Sequence, residues 1–291
     1  MSIIQILILA FIQGAAELLP VSSSAHVIVA SKLMGLDPTS PQMTLLLVLL
    51  HTGTMFAVII FFWKSWIKSF FSSWPAFWNA VKMVTIATFF TGTVGLSLKY
   101  IIEKFFLKHI PDAEIEHLFG NLFLISAALL SVGLFIIFAH FFSQRNAKTA
   151  KNTSKEIGAK ESMWIGIVQG ICLPFRGFSR SGATISTGLT LGVIKARAEE
   201  FSFALAVVLT PPVILREVLR LLKAEKAESF DISTLNALFT PGLIGMCLSF
   251  ISGWIALRWL SNWLEHGKWH YFGIYCLFAS IVVFILHSNG Y

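Results

Sequence analysis

The sequence predicts an all-α polytopic membrane protein with about six transmembrane helices plus two re-entrant helix pairs in an inverted-topology repeat. Three observations predict it. The 291 residues are 56% hydrophobic and only 13% charged, against about 25% charged in a soluble domain. Long apolar runs recur without the strict alternation of a barrel strand, so helices are the expected spanning element. The order of these runs in the first half is then repeated in the second.

The elements follow in order. Residues 2–19 and 21–34 are two apolar stretches separated by Pro20 and a serine run, each near the lower limit of the roughly 17–25 residues a spanning helix needs. They are expected as short helices that enter and leave on the same side, which irregular backbone permits only where it is buried in protein or lines a cavity. Runs at 43–63, 82–102 and 118–141 are long enough to span. Trp63, Trp66, Trp74 and Trp78 mark the interfaces around the first connection. Residues 143–162 are the only long polar stretch, with five basic and two acidic residues, and read as a solvated basic linker. Beyond it come a short apolar piece at 163–175, a polar interruption at 176–184, a second short piece to about 195, and spans near 201–222, 236–260 and 269–288.

The chain therefore reads as a single membrane domain, 1–291, whose repeat halves are 1–142 and 163–291. Three spans separate the two interruptions, so the halves should have opposite orientations, and broken segments at corresponding positions point to a site near the bilayer midplane. IQGAAELLPVSSSA aligns loosely with VQGICLPFRGFSRSGA, each starting from a Gln-Gly pair, Gln13-Gly14 and Gln169-Gly170.

The net charge of +7 sits between apolar runs, which excludes nucleic-acid binding and sets orientation. Lys64, Lys68, Arg145, Lys148, Lys151, Lys155, Lys160, Lys195, Arg197, Arg258 and Lys268 fall on one side under this topology, which becomes cytoplasmic. Lys32, Lys99, Lys104, Lys108, Lys223 and Lys226 fall on the other, diluted by seven acidic residues. Both termini and the mouth of the first re-entrant pair then face outward. Cys172, Cys247 and Cys276 are odd in number, widely spaced and apolar in setting, so they read as small core residues and not as a disulfide or zinc framework. No basic residue precedes the first apolar run, which contains Glu17; a cleaved signal peptide is not expected.

Chemistry concentrates in the two interruptions. Gln13 and Glu17 share one helical face, Pro20 ends that helix, and Ser22 suits the cap of the next one better than it suits a nucleophile. Ser23 and His26, three apart, share a face of the new helix. An ionisable group at this depth is a functional-site hypothesis by default, so Glu17 needs a partner or a metal; His26 alone would pass for a hydrogen-bonded core histidine. The second interruption, RGFSRSGAT at 176–184, holds two Arg, two Ser, two Gly and a Thr. A helix N-terminus binds anions, Gly177 lets the backbone approach closely, and Arg180 adds a bidentate fork suited to phosphate. Arg180 could instead simply pair with Glu17, but an ion pair has no use for the hydroxyls of Ser179, Ser181 and Thr184. His51, at the start of the first span, is either a satisfied core histidine or a contact to a bound headgroup.

These motifs resemble the undecaprenyl-diphosphate phosphatases of bacterial membranes, the bacitracin-resistance type. Gln13, Glu17, Pro20, Val21, Ser22, Ser23 and His26 match the family's first signature; Gly177, Ser179, Arg180, Ser181 and Thr184 match its second. EFSFALAV at 200–207 and the length are also similar, so the resemblance covers essentially the whole chain. Gln13 stands where many members have Glu, and Arg176 takes the place of the usual Pro, adding a cation. The resemblance implies hydrolysis of undecaprenyl diphosphate to the monophosphate at the outer face of the inner membrane, recycling a lipid carrier of cell-wall synthesis. It implies a divalent cofactor, Mg or Ca, held by Glu17 with Gln13 assisting. Ser23 or a water would attack, His26 would be the base, and Arg180, Ser179, Ser181, Thr184, Gly177, Ser22 and Arg176 would hold phosphate. The partners are then a polyprenyl diphosphate lipid and the bilayer, with homodimerisation left open. The competing reading is a transporter or flippase using the same midplane site; an inactive scaffold is disfavoured because Glu17, Ser23, His26 and Arg180 are all present.

Overall fold

The computed structural model describes residues 1–38, 40–106, 118–149, 156–226 and 232–290. Among these residues the protein is all-helical: α1 (Ile3–Leu18), α2 (Ser23–Leu33), α3 (Pro41–Ser69), α4 (Trp74–Ile101), α5 (Leu122–Thr149), α6 (Ala159–Cys172), α7 (Arg180–Thr190), α8 (Lys195–Lys226), α9 (Ile232–Glu265) and α10 (His270–Ser288). Six are long and apolar enough to cross a membrane, over 42–69, 74–105, 122–145, 195–219, 239–265 and 270–288. The protein is a multi-pass membrane protein. The sequence places the same six spans, with the second and fourth starting later than they do, because their first turns carry aromatic or charged residues that hydropathy alone discards. α1, α2, α6 and α7, of 16, 11, 14 and 11 residues, are the short helices.

Local signals set the ends. Ser2 accepts from the Gln5 N–H while the Gln5 side chain accepts from the Ser2 N–H, a reciprocal cap that opens α1. Pro20 follows its last turn. Ser73 caps α4, and Ser179 caps α7. Pro211, Pro212 and Pro241 lie inside continuous helices.

The chain divides into two compact units, each drawing on both sequence halves. One comprises Met1–Leu19, Ser23–Phe62 and Ala206–Leu260. Its core is Ile6, Leu9, Ala10, Val27, Met43, Leu46 and Leu50. Here α1 packs backbone-close on α9: a Cβ on Gly14 would lie 2.5 Å from the Ser249 carbonyl oxygen, and one on Gly253 would lie 2.9 Å from Leu18 Cδ1. Small residues are what let membrane helices approach this closely.

The other unit comprises Pro20–Ser22, Trp63–Leu205 and Ser261–Tyr291. In it α6 packs on α4 in the same manner: a Cβ on Gly170 would lie 2.9 Å from the Thr91 carbonyl oxygen. The Thr91 hydroxyl donates to the Gly166 carbonyl at 3.1 Å and accepts from Gln169 Nε2 at 3.0 Å. α5 and α10 run antiparallel, since Ser126 meets Ser280, Gly133 meets Gly273 and His140 stacks near His270 in reversed order. At the start of α8, Glu200 accepts from Ser65, from Ser69 at 3.1 Å and from Arg197 at 2.8 Å.

Several expectations change. Trp63, Trp74 and Trp78 are exposed, as interface residues should be, but Trp66 is buried and donates to the Glu200 carbonyl. Cys172 and Cys276 are buried, whereas Cys247 is exposed on α9; lipid is as apolar as a core, so an outward cysteine carries no penalty. The polar stretch 143–162 is only partly loop, because α5 continues to Thr149 and α6 begins at Ala159. Polarity ends the span there, not the helix. Residues 150–155 of that stretch, with Lys151 and Lys155, lie outside the described residues, as do Lys108 and residues 227–231. Glu161 is not solvated: it is buried and its carboxylate accepts from the Gly158 N–H, completing the first turn of α6.

Candidate active site

Glu17 is the centre of one cluster, all within the first unit. Gln13, one turn earlier on α1 and almost wholly buried, donates its amide N–H to Glu17 Oε2 at 3.1 Å. The chain then reverses through Pro20–Ser22. Ser22 has φ 68°, the only positive φ at a non-glycine among the described residues. Such a conformation costs about 1–3 kcal/mol and clusters at functional sites. It differs from the extended geometry of an ordinary N-cap, because only the four residues 19–22 turn α1 into α2. The reversal brings Ser23, the first residue of α2, back over the end of α1, and its hydroxyl donates to Glu17 Oε2 at 2.5 Å. His26 lies half-buried on α2, one turn beyond Ser23.

His51 on α3 completes this cluster. Its Nε2 stands 3.6 Å from Glu17 Oε2, with the two side chains 37% and 16% exposed. Its Nδ1 donates to the Leu47 carbonyl at 2.8 Å. Both ring nitrogens of His51 therefore face protein groups, as expected of a satisfied histidine. No periodicity in the sequence could assign this contact, since it depends on how α3 packs against α1.

The second cluster lies at the N-terminus of α7, within the second unit. Gly177 has φ 100°, and a Cβ there would come 2.6 Å from the Ile125 carbonyl oxygen. Gly177→Ala is therefore expected to lower stability by about 1–3 kcal/mol, read as a lower melting temperature of the purified protein. Ser179 accepts from the Gly182 N–H at 3.2 Å and lies 3.5 Å from the Ser181 hydroxyl. Arg180 is the first residue of α7, half-buried, so its guanidinium adds to the partial positive charge of the helix end. Thr184 is fully buried; its hydroxyl donates to the Arg180 carbonyl at 2.8 Å and meets the Ser202 hydroxyl at 2.6 Å. It braces the first turn of α7, and Ser202, in the 200–207 segment, braces it in turn. Arg176 is exposed and stacks its guanidinium 4.3 Å from the Phe119 ring centre, a cation–π contact.

The two interruptions meet inside this unit. A Cβ on Gly182 would lie 3.3 Å from Pro20 Cβ, so the turn between α1 and α2 rests directly on the first turn of α7. The Cys276 thiol donates to the Pro20 carbonyl at 3.4 Å from behind. Glycine at 182 is what permits the contact.

Among the described residues no group of three or more His, Cys, Asp or Glu could by itself hold a metal ion. The Glu17 cluster fits an ion bound by few protein donors and completed by substrate phosphate oxygens and water, the usual habit of Mg²⁺ at phosphate sites.

Comparison with known proteins places the chain. It is 53% identical over 287 residues to "Undecaprenyl-diphosphatase 2" of Acinetobacter baylyi, covering 98% of each chain. It is 32% identical over 288 residues to "Undecaprenyl-diphosphatase" of Bacteroides fragilis, covering 96% of each, and 31% identical over 300 residues to "Undecaprenyl-diphosphatase 1" of Shouchella clausii, covering 99% of this chain and 98% of that one. The family described as "Bacitracin resistance protein BacA" matches residues 6–282. With its motifs, its six spans and this match over nearly its full length, the chain belongs to the bacitracin resistance protein BacA family.

Proposed function

We propose that this protein is a membrane phosphatase that hydrolyses undecaprenyl diphosphate to undecaprenyl phosphate and inorganic phosphate, returning a lipid carrier to cell-wall polymer synthesis. The observation that carries this reading is the Glu17 carboxylate, whose Oε2 accepts from both the Gln13 amide and the Ser23 hydroxyl at the turn between two short helices. The names of the relatives supply the substrate.

Cleavage of a phosphoanhydride asks mainly for positioning and charge stabilisation. Arg180 and the N–H groups at the start of α7 hold the phosphate oxygens, with Ser179 and Ser181 beside them. Thr184 and Gly177 shape that turn. The Ser23 hydroxyl, aimed by its bond to Glu17, either attacks the terminal phosphorus or orients the attacking water, and His26 serves as base. If water attacks, its oxygen leaves on inorganic phosphate as the bond to undecaprenyl phosphate breaks; if Ser23 attacks, that same bond breaks as a phosphoserine forms, and water then cleaves the phosphoserine to inorganic phosphate and the free hydroxyl. In each attack the proton lost by the nucleophile passes to the base. When bound, a divalent cation such as Mg or Ca at Glu17 neutralises phosphate charge; Gln13 orders the carboxylate that holds it. Ser22 sets the turn, and Arg176 supplies a cation outside the clamp.

The packing of α1 on α9 in one unit and of α6 on α4 in the other supports an inverted repeat, since each first helix of a half meets the second span of the opposite half. So does the antiparallel pairing of α5 with α10, the third spans. In this arrangement α1–α2 and α6–α7 are the two re-entrant pairs, and the basic linker side is cytoplasmic, which sets the site toward the periplasmic face of a bacterial inner membrane.

The test uses purified protein in liposomes with undecaprenyl diphosphate confined to one leaflet. Phosphate release without a change in the lipid's sidedness is expected. Lipid that changes leaflet with no phosphate released would establish the transporter reading instead.

A further inference from the structure

Two nitrogens define what His51 can do. The Leu47 carbonyl can only accept, so its 2.8 Å partner, His51 Nδ1, carries a proton. With Nδ1 so engaged, Nε2 is the ring nitrogen that faces Glu17 Oε2, at 3.6 Å. That separation is longer than a hydrogen bond. Oε2 is moreover already occupied by the Ser23 hydroxyl at 2.5 Å and the Gln13 amide at 3.1 Å. Nε2 and Oε2 thus face each other across a gap, in a pair of side chains that are both partly open.

A metal cation between them fits that separation. Metal bonds to imidazole nitrogen and carboxylate oxygen run at about 2.0–2.2 Å, which sets neighbouring donors of one ion roughly 3–4 Å apart. A metal-binding histidine almost always donates its other ring N–H to a carbonyl or carboxylate, which fixes the tautomer and turns the bare nitrogen toward the ion. The bond to Leu47 does this for His51. Gln13 cannot supply charge, and its N–H is already directed at Glu17.

We propose that His51 is a ligand of the divalent cation, so that the protein's share of the ion site is the Glu17 carboxylate and the His51 imidazole. The proposal rests on the phosphatase reading for the presence of an ion at Glu17. An imidazole favours transition ions, whereas Ca²⁺ takes oxygen ligands, so the site should prefer Mn²⁺ to Ca²⁺ through His51.

The experiment measures Mn²⁺ binding to the full-length protein in nanodiscs by electron paramagnetic resonance, with nitrogen coupling read by the pulsed method. Wild type is expected to bind Mn²⁺ with ¹⁴N modulation from one imidazole. His51→Gln should lose the modulation and bind Mn²⁺ at least about tenfold more weakly, with Ca²⁺ affinity, measured by competition, changed by less than about threefold. His26→Gln should keep the modulation. His51→Asn, checked with His51→Gln for a monodisperse profile and unchanged helical content, guards against misfolding. The proposal is overturned if His51→Gln keeps its modulation or binds Mn²⁺ within about threefold of wild type, if His26→Gln loses the modulation instead, or if wild type binds no Mn²⁺. Phosphate release by wild type is assayed separately. Hydrolysis with a failed His51 signal removes the ligand and leaves the phosphatase, while a His51 signal without hydrolysis does the reverse.

Discussion

Arg180→Ala is expected to slow phosphate release by at least about 10³-fold, the scale of an arginine that stabilises the transferring phosphoryl group. The effect should fall on kcat more than on KM, because charge builds on the equatorial oxygens in the transition state. The fold should survive. Arg180 begins α7 but does not cap it; the cap is Ser179, and the brace at Thr184 bonds the Arg180 backbone, which alanine keeps. Arg180→Lys should recover only part of the rate, since a point charge cannot replace a planar fork. Activity of Arg180→Ala near the wild-type value, measured as phosphate released from a prenyl diphosphate by protein of unchanged size-exclusion profile, would remove the clamp from this site.

Glu17→Gln is expected to lower the same rate by about 10²–10⁴-fold. The glutamine is nearly isosteric, so packing at the end of α1 is preserved. What is lost is the charge that accepts from both Ser23 and Gln13 and faces His51. Glu17→Ala should be as inactive and also less stable, because it leaves the nearly buried Gln13 amide without its acceptor. Comparing the melting temperatures of the two variants separates chemistry from packing: equal losses of activity with unequal losses of stability are expected.

Much of this was legible in the chain. The six spans follow from run length, because a helix of about 20 apolar residues is the unit a bilayer imposes. The broken pairs announced themselves through Pro20 and through the density of polar residues at 176–184. Gln13 with Glu17, and Ser23 with His26, could be assigned to shared faces that present all four to one pocket, because helical spacing and a proline stop determine which side chains can share a face. The structure joins Gln13 and Ser23 at the Glu17 carboxylate.

Other features were not accessible in that way. Trp66 reads as an interface residue, yet it is buried against Glu200; Glu161 reads as linker charge, yet it closes the first turn of α6. Arg176 reads as a phosphate ligand and stacks on Phe119. Thr184 reads the same way, and its hydroxyl holds the turn through Ser202. For Trp66, Arg176 and Thr184 the partner comes from a distant segment, and composition around a residue says nothing about what a remote segment will bring to it; for Glu161 it is the nearby Gly158 N–H, reached because the helix begins inside the polar stretch.

The sequence by itself determined the membrane class, the six spans, the paired interruptions and the residue types of the site, because these depend on hydrophobic length and on backbone rules that act over a few residues. Only the tertiary structure decided that His51 faces Glu17 and that the Pro20 turn rests on Gly182. Those contacts depend on the close approach of helices at small residues, and van der Waals fit across such an interface is a property of two surfaces that no single stretch of chain contains.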